Sequence, residues 1–402
     1  MNEPVEPHDP GSGREPAGRQ PAGGRRAAVG DVSIPVRTLP AAVLVVDDSA
    51  VVRRLVCDAI ATAPDLAVAG TAKDGATALE RLALGLPDVV VLDIEMPVLD
   101  GLATLERIRA RWPHLPVVMF STLTHRGATA TLEALARGAT DYVAKPTSTG
   151  PEAAVATVAE ALVPVLRACA ALRRPDRRTP PARPVATDPG TVASITPLIA
   201  RRGAPPEALV VASSTGGPHA LTEILPWLPA GLPVPVLVVQ HMPPLFTRLL
   251  AERLDARSPL HVVEAVPGTP VEPGTVYLAP GGIHLAVRRT SDGAVVCMAN
   301  DGPPERSCKP SADVLFRSAA ETWGSGTLAL VLTGMGHDGL AGCRHIHEAG
   351  GTVIVQDEAS SVVWGMPGAV AREGLAAATV PLGELAPVLA RALRRSAVAC
   401  AR

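Results

Sequence analysis

Three polar side chains in the second half of the chain are of the types that perform acyl transfer, and each closes or follows an apolar run. Ser214 stands in Leu209-Val-Val-Ala-Ser-Ser-Thr-Gly-Gly217, His241 ends Val236-Leu-Val-Val-Gln-His241, and Asp338 follows Leu328-Ala-Leu-Val-Leu-Thr-Gly-Met-Gly-His-Asp338. A serine hydroxyl is a poor nucleophile until a base takes its proton. A histidine is the usual base, and an aspartate fixes its tautomer and orientation. The glycines on either side of Met335 free backbone N–H groups to face a developing oxyanion. Taken singly, each residue has a simpler reading. Ser-Thr-Gly-Gly can cap a helix or cradle a phosphate, His241 can be structural, and Asp338 can be an N-cap. The three together favour a nucleophilic site. Ser213 leaves a second hydroxyl in the motif, and the spacing to Thr215-Gly-Gly favours Ser214. Ala212 stands where a Gly-x-Ser-x-Gly elbow needs its first glycine. No metal cluster is expected to compete, because His345 and His347 are two apart and do not share a helix face.

A second constellation lies in the first half. Asp47, Asp48, Asp93, Ser121 and Lys145 each follow or close a short apolar run. Three carboxylates brought together repel one another unless a cation joins them, and hard oxygens suit Mg²⁺. Lys145 and the Ser121 hydroxyl can neutralise and hydrogen-bond phosphoryl oxygens held there.

The elements that must position these residues are strands alternating with helices. The runs at 42–46, 66–69, 88–92, 116–120 and 141–144 read as buried strands, with helices near 50–60, 76–84, 102–111, 127–137 and 152–172, the last bent at Pro164. That alternation predicts a doubly wound parallel α/β domain over 41–172. Residues 1–40 are rich in Pro and Gly and read as a disordered extension, and 173–206 as a Pro- and Arg-rich linker. A second doubly wound parallel α/β domain is expected over 207–391, with a β-ribbon insertion at 275–300 and a C-terminal tail at 392–402.

The 402 residues suffice for two or three domains, and a hydrophobic content of 47% predicts a sizeable core. Aromatics at 2% and a formal net charge of -2 argue against nucleic-acid binding. Neither a basic recognition helix nor a winged helix follows residue 173. Six scattered cysteines read as reduced thiols. No apolar run is expected to reach the roughly 20 residues of a membrane helix, and the N-terminus lacks a signal peptide's apolar core. These features predict a cytoplasmic chain without membrane insertion.

Val45-Val-Asp-Asp-Ser49, Leu92-Asp-Ile-Glu-Met-Pro97 with Asp100-Gly101, Met119-Phe-Ser-Thr122 and Lys145-Pro146 resemble a two-component response-regulator receiver domain of flavodoxin-like fold. The resemblance implies phosphorylation of Asp93 by a histidine kinase, Mg²⁺ held by Asp47, Asp48 and Asp93 with the Ile94 carbonyl a further candidate, and a switch carried by Ser121 and Lys145. Ser214-Thr-Gly-Gly217, Gln240-His-Met-Pro-Pro244, Asp301-Gly-Pro-Pro304, Pro310-Ser311, Leu332-Thr-Gly-Met-Gly336, Asp338-Gly339 and Gly365-Met-Pro367 resemble the catalytic domain of chemotaxis protein-glutamate methylesterases. This implies Ser214 as nucleophile, His241 as base, Asp338 as orienter and the Met335 N–H as oxyanion donor. No cofactor is implied for the esterase reaction. The implied substrates are glutamate methyl esters on methyl-accepting chemoreceptors, with glutamine deamidation as a companion activity. A response regulator with a non-catalytic output is the alternative. Four positions depart from the family pattern: Ala212, His337, and the pair Cys308-Lys309 where His-Arg is more usual. The fusion also predicts that the receiver packs over the Ser214 cleft and that phosphorylation of Asp93 loosens that contact through Ser121 and the face near Tyr142.

Overall fold

Apolar runs of β-branched residues that end abruptly in Asp, Ser or His form the strands of two parallel sheets. The computed structural model describes residues 39–146, 151–173 and 205–399. The expected disorder of residues 1–40 and the expected linker at 173–206 therefore fall almost wholly outside the described residues.

In the first sheet, β1 (Ala41–Val46), β2 (Leu66–Ala72), β3 (Val89–Asp93), β4 (Val117–Ser121) and β5 (Asp141–Ala144) run in the order β2-β1-β3-β4-β5, all parallel. This is the flavodoxin-like order, whose ligand crevice lies beyond the carboxyl ends of the strands where the order reverses. The intervening helices are α1 (Ala50–Ala61), α2 (Gly75–Leu84), α3 (Gly101–Arg111), α4 (His125–Ala136) and α5 (Pro151–Arg173). The first four begin at the side-chain caps Ser49, Asp74, Asp100 and Thr124, each accepting a hydrogen bond from the first turn. Pro164 lies inside α5 without ending it.

One expectation is corrected in α5. Its stretch Ala153–Arg173, with a mean hydropathy of 1.7, is long and apolar enough to cross a membrane by length and composition. The small residues Ala, Val and Leu that give it this character also supply the Val158, Leu162, Leu166 and Cys169 face buried against β1, β3 and β4.

The second sheet has seven strands, all parallel: β6 (Ala208–Ser213), β7 (Val236–Gln240), β8 (His261–Glu264), β9 (Thr275–Leu278), β12 (Thr327–Val331), β13 (Thr352–Gln356) and β14 (Ala378–Val380). Their order is β14-β13-β12-β6-β7-β9-β8. The ribbon is smaller than expected. It comprises β10 (His284–Arg289) and β11 (Val295–Asn300), while Thr275–Leu278 joins the main sheet, hydrogen-bonded in parallel between β7 and β8. The helices of this half are α6 (Gly217–Ile224), α7 (Phe246–Asp255), α8 (Ala312–Trp323), α9 (Leu340–Glu348), α10 (Met366–Arg372) and α11 (Leu382–Ala399). The last corrects the expected tail at 392–402: α11 continues to Ala399, and Ala392 and Leu393 are buried.

Both sheets lie within the unit Pro40–Arg402. Helix α4 packs against α7, the Tyr142 ring stacks on Phe246 at 4.9 Å and 9°, and Met335 packs against the apolar cluster under α5.

Candidate active site and phosphoacceptor site

Strand β6 is the centre of the second sheet, flanked by β7 and β12, so Ser214, His241 and Asp338 emerge from three adjacent strands. Ser213 pairs with Gln240 in the β6–β7 register, which sets Ser214 and His241 one residue beyond matched strand ends. The His241 N–H donates to the Ser213 carbonyl at 3.1 Å, and the Ser214 N–H to the Thr333 carbonyl at 3.1 Å.

Gln240 ties these ends together. Its Oε1 accepts from Ser213 Oγ at 2.7 Å, and its Nε2 donates to the carbonyls of Ser214 at 3.0 Å and His241 at 3.3 Å. The fully buried Ser213 hydroxyl is thereby committed to structure, while Ser214 is half-buried. A Cβ on Gly217 would lie 2.0 Å from Gln240 Oε1, and one on Gly334 would lie 2.8 Å from the Ser214 Cβ. Both glycines permit backbone approaches that any side chain would block. Gln356 holds the third strand end in the same way, accepting from the Thr333 N–H at 2.8 Å. Sequence reasoning missed Gln240 and Gln356. The signal was present in each, an amide closing an otherwise apolar buried strand.

Asp338 is 1% exposed and fully engaged. Its Oδ2 meets His241 Nε2 at 2.7 Å and accepts from the Ala312 N–H at 2.7 Å. Its Oδ1 accepts from Ser311 Oγ at 2.7 Å, Gly339 N at 2.9 Å and Asp313 N at 3.1 Å. Asp338 thus sits on the N-terminus of α8, a helix 25 residues or so earlier in the chain, where the dipole favours negative charge. Burial opposes its ionisation, but the bonds from His241, Ser311 and Ala312 outweigh it and hold the carboxyl down at about 2. Burial likewise opposes a charged His241, yet Asp338 and Cys308 overcome it and raise the imidazole to about 9.

The structure brings His241 and Asp338 into direct contact. The ring's other nitrogen, Nδ1, faces Cys308 Sγ at 3.7 Å rather than hydrogen-bonding Ser214. The expectation that no metal cluster competes here is also corrected. Donor atoms of His241, Cys308 and Asp338 lie within 4.8 Å of one another, because the 305–308 turn folds Cys308 onto His241 from 67 residues away. His345 and His347 take no part; His345 Nδ1 bonds the Ala341 carbonyl of its own helix. The Met335 residue is half-buried in the loop between β12 and Asp338, and its neighbour Gly336 adopts a φ of 77°. His337 is exposed, away from the Asp338 bonds.

The first sheet gathers its five residues at one edge. Lys145 Nζ bridges Asp47 Oδ2 and Asp93 Oδ2, each at 2.9 Å. Asp48 is exposed beside them, and donor oxygens of Asp47, Asp48 and Asp93 lie within 4.8 Å. An all-oxygen donor set of three carboxylates opening on a cleft of about 320 Å³, lined by Asp48, Asp93, Ser121 and Lys145, fits Mg²⁺, which keeps several waters and takes one or two carboxylates. The Ile94 carbonyl accepts from the Gly101 N–H at 2.9 Å. Burial first, with Asp47 beside it, pushes Asp93 up against the opposing pull of Lys145. The Ser121 hydroxyl is buried, receiving a bond from Thr131 Oγ1 at 2.6 Å and donating to the Gly127 carbonyl at 3.2 Å.

The two halves match different families. Residues 43–154 match the response regulator receiver domain, and residues 209–389 match the CheB methylesterase family. The protein-glutamate methylesterase/protein-glutamine glutaminase of a Nocardioides species is 50% identical over 357 residues, covering 88% of this chain and 95% of that protein. The like-named protein of Nitrobacter hamburgensis is 45% identical over 365 residues, covering 88% and 94%. The crystal structure of the Thermotoga maritima CheB methylesterase catalytic domain is 43% identical, covers 46% of this chain and 97% of that one, and has a TM-score of 0.45. With relatives this similar along nearly their whole length, the chain belongs to the family of receiver-linked protein-glutamate methylesterase/protein-glutamine glutaminases.

Proposed function

We propose that this chain hydrolyses glutamate methyl esters on methyl-accepting chemoreceptors, releasing methanol, under control of phosphorylation at Asp93. The observation that carries the reading is the buried Asp338–His241 pair set one strand from Ser214 at the carboxyl edge of the second sheet. Ser214 Oγ attacks the ester carbonyl. His241 takes the hydroxyl proton on Nδ1, the nitrogen not held by Asp338, and returns it to the departing methoxide. Because the ring is held up at about 9 at rest, Nδ1 must first release a proton. The Met335 N–H stabilises the oxyanion. Water then cleaves the acyl-enzyme by the reverse proton path. The same intermediate forms from a glutamine amide with ammonia as leaving group, which accounts for deamidation as a companion activity. Receptor cytoplasmic helices as substrate make the cytoplasm the place of action.

In the first domain, Asp47, Asp48 and Asp93 would hold Mg²⁺, which when bound would supply positive charge facing phosphoryl oxygens at Asp93. A histidine kinase is the donor. Lys145, already bridging Asp47 and Asp93, is placed to bond a phosphoryl oxygen, and Ser121 leaves its Thr131 and Gly127 partners to bond another. This reading makes the contacts of Tyr142 with Phe246 and of Met335 with the α5 cluster the points where the receiver restrains the Ser214 loop. The test is methanol release from methylated receptor, with and without a small phosphodonor. Wild type releases methanol faster with the donor, and Ser214→Ala releases none in either condition. Equal release by wild type and Ser214→Ala overturns the proposal.

A further inference from the structure

The thiol of Cys308 has no part in ester hydrolysis as derived above, yet it lies against the nitrogen that the reaction uses. Its Sγ is 3.7 Å from His241 Nδ1. A nitrogen and a sulfur bound to one tetrahedral zinc, at about 2.0 and 2.3 Å, are about 3.5 Å apart. On the far side of the ring, Nε2 meets the Asp338 carboxylate at 2.7 Å. A carboxylate on the second nitrogen of a metal-binding histidine is the usual outer support of zinc sites, fixing the tautomer and strengthening the ligand. All three donor groups lie within 4.8 Å of one another.

The loop carrying Cys308 is fixed before any ion arrives. Glu305 and Cys308 exchange backbone hydrogen bonds of 3.1 and 2.8 Å across a turn whose central residues, Arg306 and Ser307, adopt φ of 51° and 63°. Neither is glycine, so the turn is strained and must be held by its surroundings. Its first two residues are tied down, Arg306 to Asp313 at 2.9 Å and Glu305 to Arg317. The thiol therefore does not have to be ordered by the ligand.

From this geometry we propose that His241 Nδ1 and Cys308 Sγ, with Asp338 orienting the ring, form an inhibitory site for a thiophilic divalent cation of the zinc class. The sulfur and nitrogen donors disfavour Mg²⁺, which the receiver carboxylates suit. On binding, the Cys308 thiol and His241 Nδ1 each lose a proton to solvent, two donor bonds to the metal form, and Nδ1 is no longer free to accept the Ser214 proton. The ion thereby switches off the base without touching the nucleophile. Water takes the remaining positions of the ion.

The test uses the full chain in excess Mg²⁺, with buffered free Zn²⁺ as inhibitor and Co²⁺ as spectroscopic probe. Each rate is read against the same protein's zinc-free rate. Zn²⁺ should inhibit wild type, and Cys308→Ser and Cys308→Ala should raise the half-inhibitory concentration by about 10-fold or more, since even an outer partner is worth that much. Co²⁺ should give wild type a thiolate-to-metal absorption band in the near ultraviolet that both variants lack. The inhibition arm rests on the esterase reading, whereas the cobalt band does not, so a failed esterase assay leaves this site testable. Equal zinc sensitivity in wild type and variants overturns the proposal, as does a cobalt band that is absent from wild type or survives in Cys308→Ala.

Discussion

Two buried aspartates, one in each sheet, show how the same side chain is prepared for opposite tasks. Asp93 is pushed up by burial and by Asp47, with Lys145 opposing. Asp338 is equally buried but is held down at about 2 by His241, Ser311 and the Ala312 N–H. Both stand at the carboxyl edge of a parallel sheet, so position in the fold does not distinguish them. What differs is the company. Asp338 receives donors from the N-terminus of α8 and from an imidazole, so its charge is fully compensated by the protein. Asp93 shares one lysine with a second carboxylate, leaving a surplus of negative charge that a cation and a phosphoryl donor can answer. One site is complete in itself. The other is made to be completed from outside.

The sharpest way to break this contrast is to remove the charge from each aspartate in turn. Asp338→Asn keeps the shape but takes away the ion pair and the tautomer control, and should lower kcat/KM by about 10³- to 10⁴-fold. Asp93→Asn should instead abolish the response to a small phosphodonor while the donor-free rate stays of the wild-type order. Methanol release measured with and without the donor separates the two. A small loss in Asp338→Asn would mean that His241 needs no orienter, and a retained donor response in Asp93→Asn would move the phosphoacceptor elsewhere.

Much of this was legible in the sequence, for a physical reason. A strand buried on both faces must be apolar, so a polar residue at its end is conspicuous, and Asp47, Asp93, Ser121, Ser214 and His241 were all found that way. Asp338 lies seven residues past its strand, and only its partnership with a serine and a histidine singled it out. What was not legible depends on contacts between distant segments. The strained turn at 305–308 puts Cys308 on His241 across 67 residues, and α8 brings Ser311 to Asp338 across 27. The face near Tyr142 was expected to meet the second domain, but nothing local marked Phe246 as its partner. The ribbon was drawn too large because β9 and β10 are both short and close in sequence, and period alone does not say which sheet a strand joins.

The contact between the halves offers a smaller effect. Tyr142 and Phe246 stack at 4.9 Å, and such pairs add about 0.5–1.5 kcal/mol beyond the area they bury. If that contact restrains the Ser214 loop, Tyr142→Ala should raise the unphosphorylated rate about 2- to 10-fold and bring it nearer the phosphorylated rate. An unchanged donor-free rate would sink Tyr142 as a restraint.

The finest distinction concerns a third aspartate, at the seam of the two regions. Asp141 opens β5, is buried, and faces the Thr215 hydroxyl, the residue after Ser214. Burial pushes its carboxyl up to about 7, against the lesser opposing bonds from the Tyr142 N–H and Thr215. An unfolded chain releases that proton near ~3.9. Between those two values the folded protein binds more protons than the unfolded one, so stability falls as pH rises through the window and the loss is complete above about 7. At ~1.4 kcal/mol per pH unit the full cost is at most about 4 kcal/mol. Asp141→Asn has no proton to lose and keeps an acceptor for the Tyr142 N–H. Its Tm should equal or fall slightly below that of wild type near pH 4, then exceed it by a margin that grows to about pH 7 and is constant beyond. A margin that does not change between pH 4 and 8 would mean that Asp141 titrates like an exposed carboxylate. The seam would then be open to water, and the restraint on Ser214 would have to come through Tyr142 and Met335 alone.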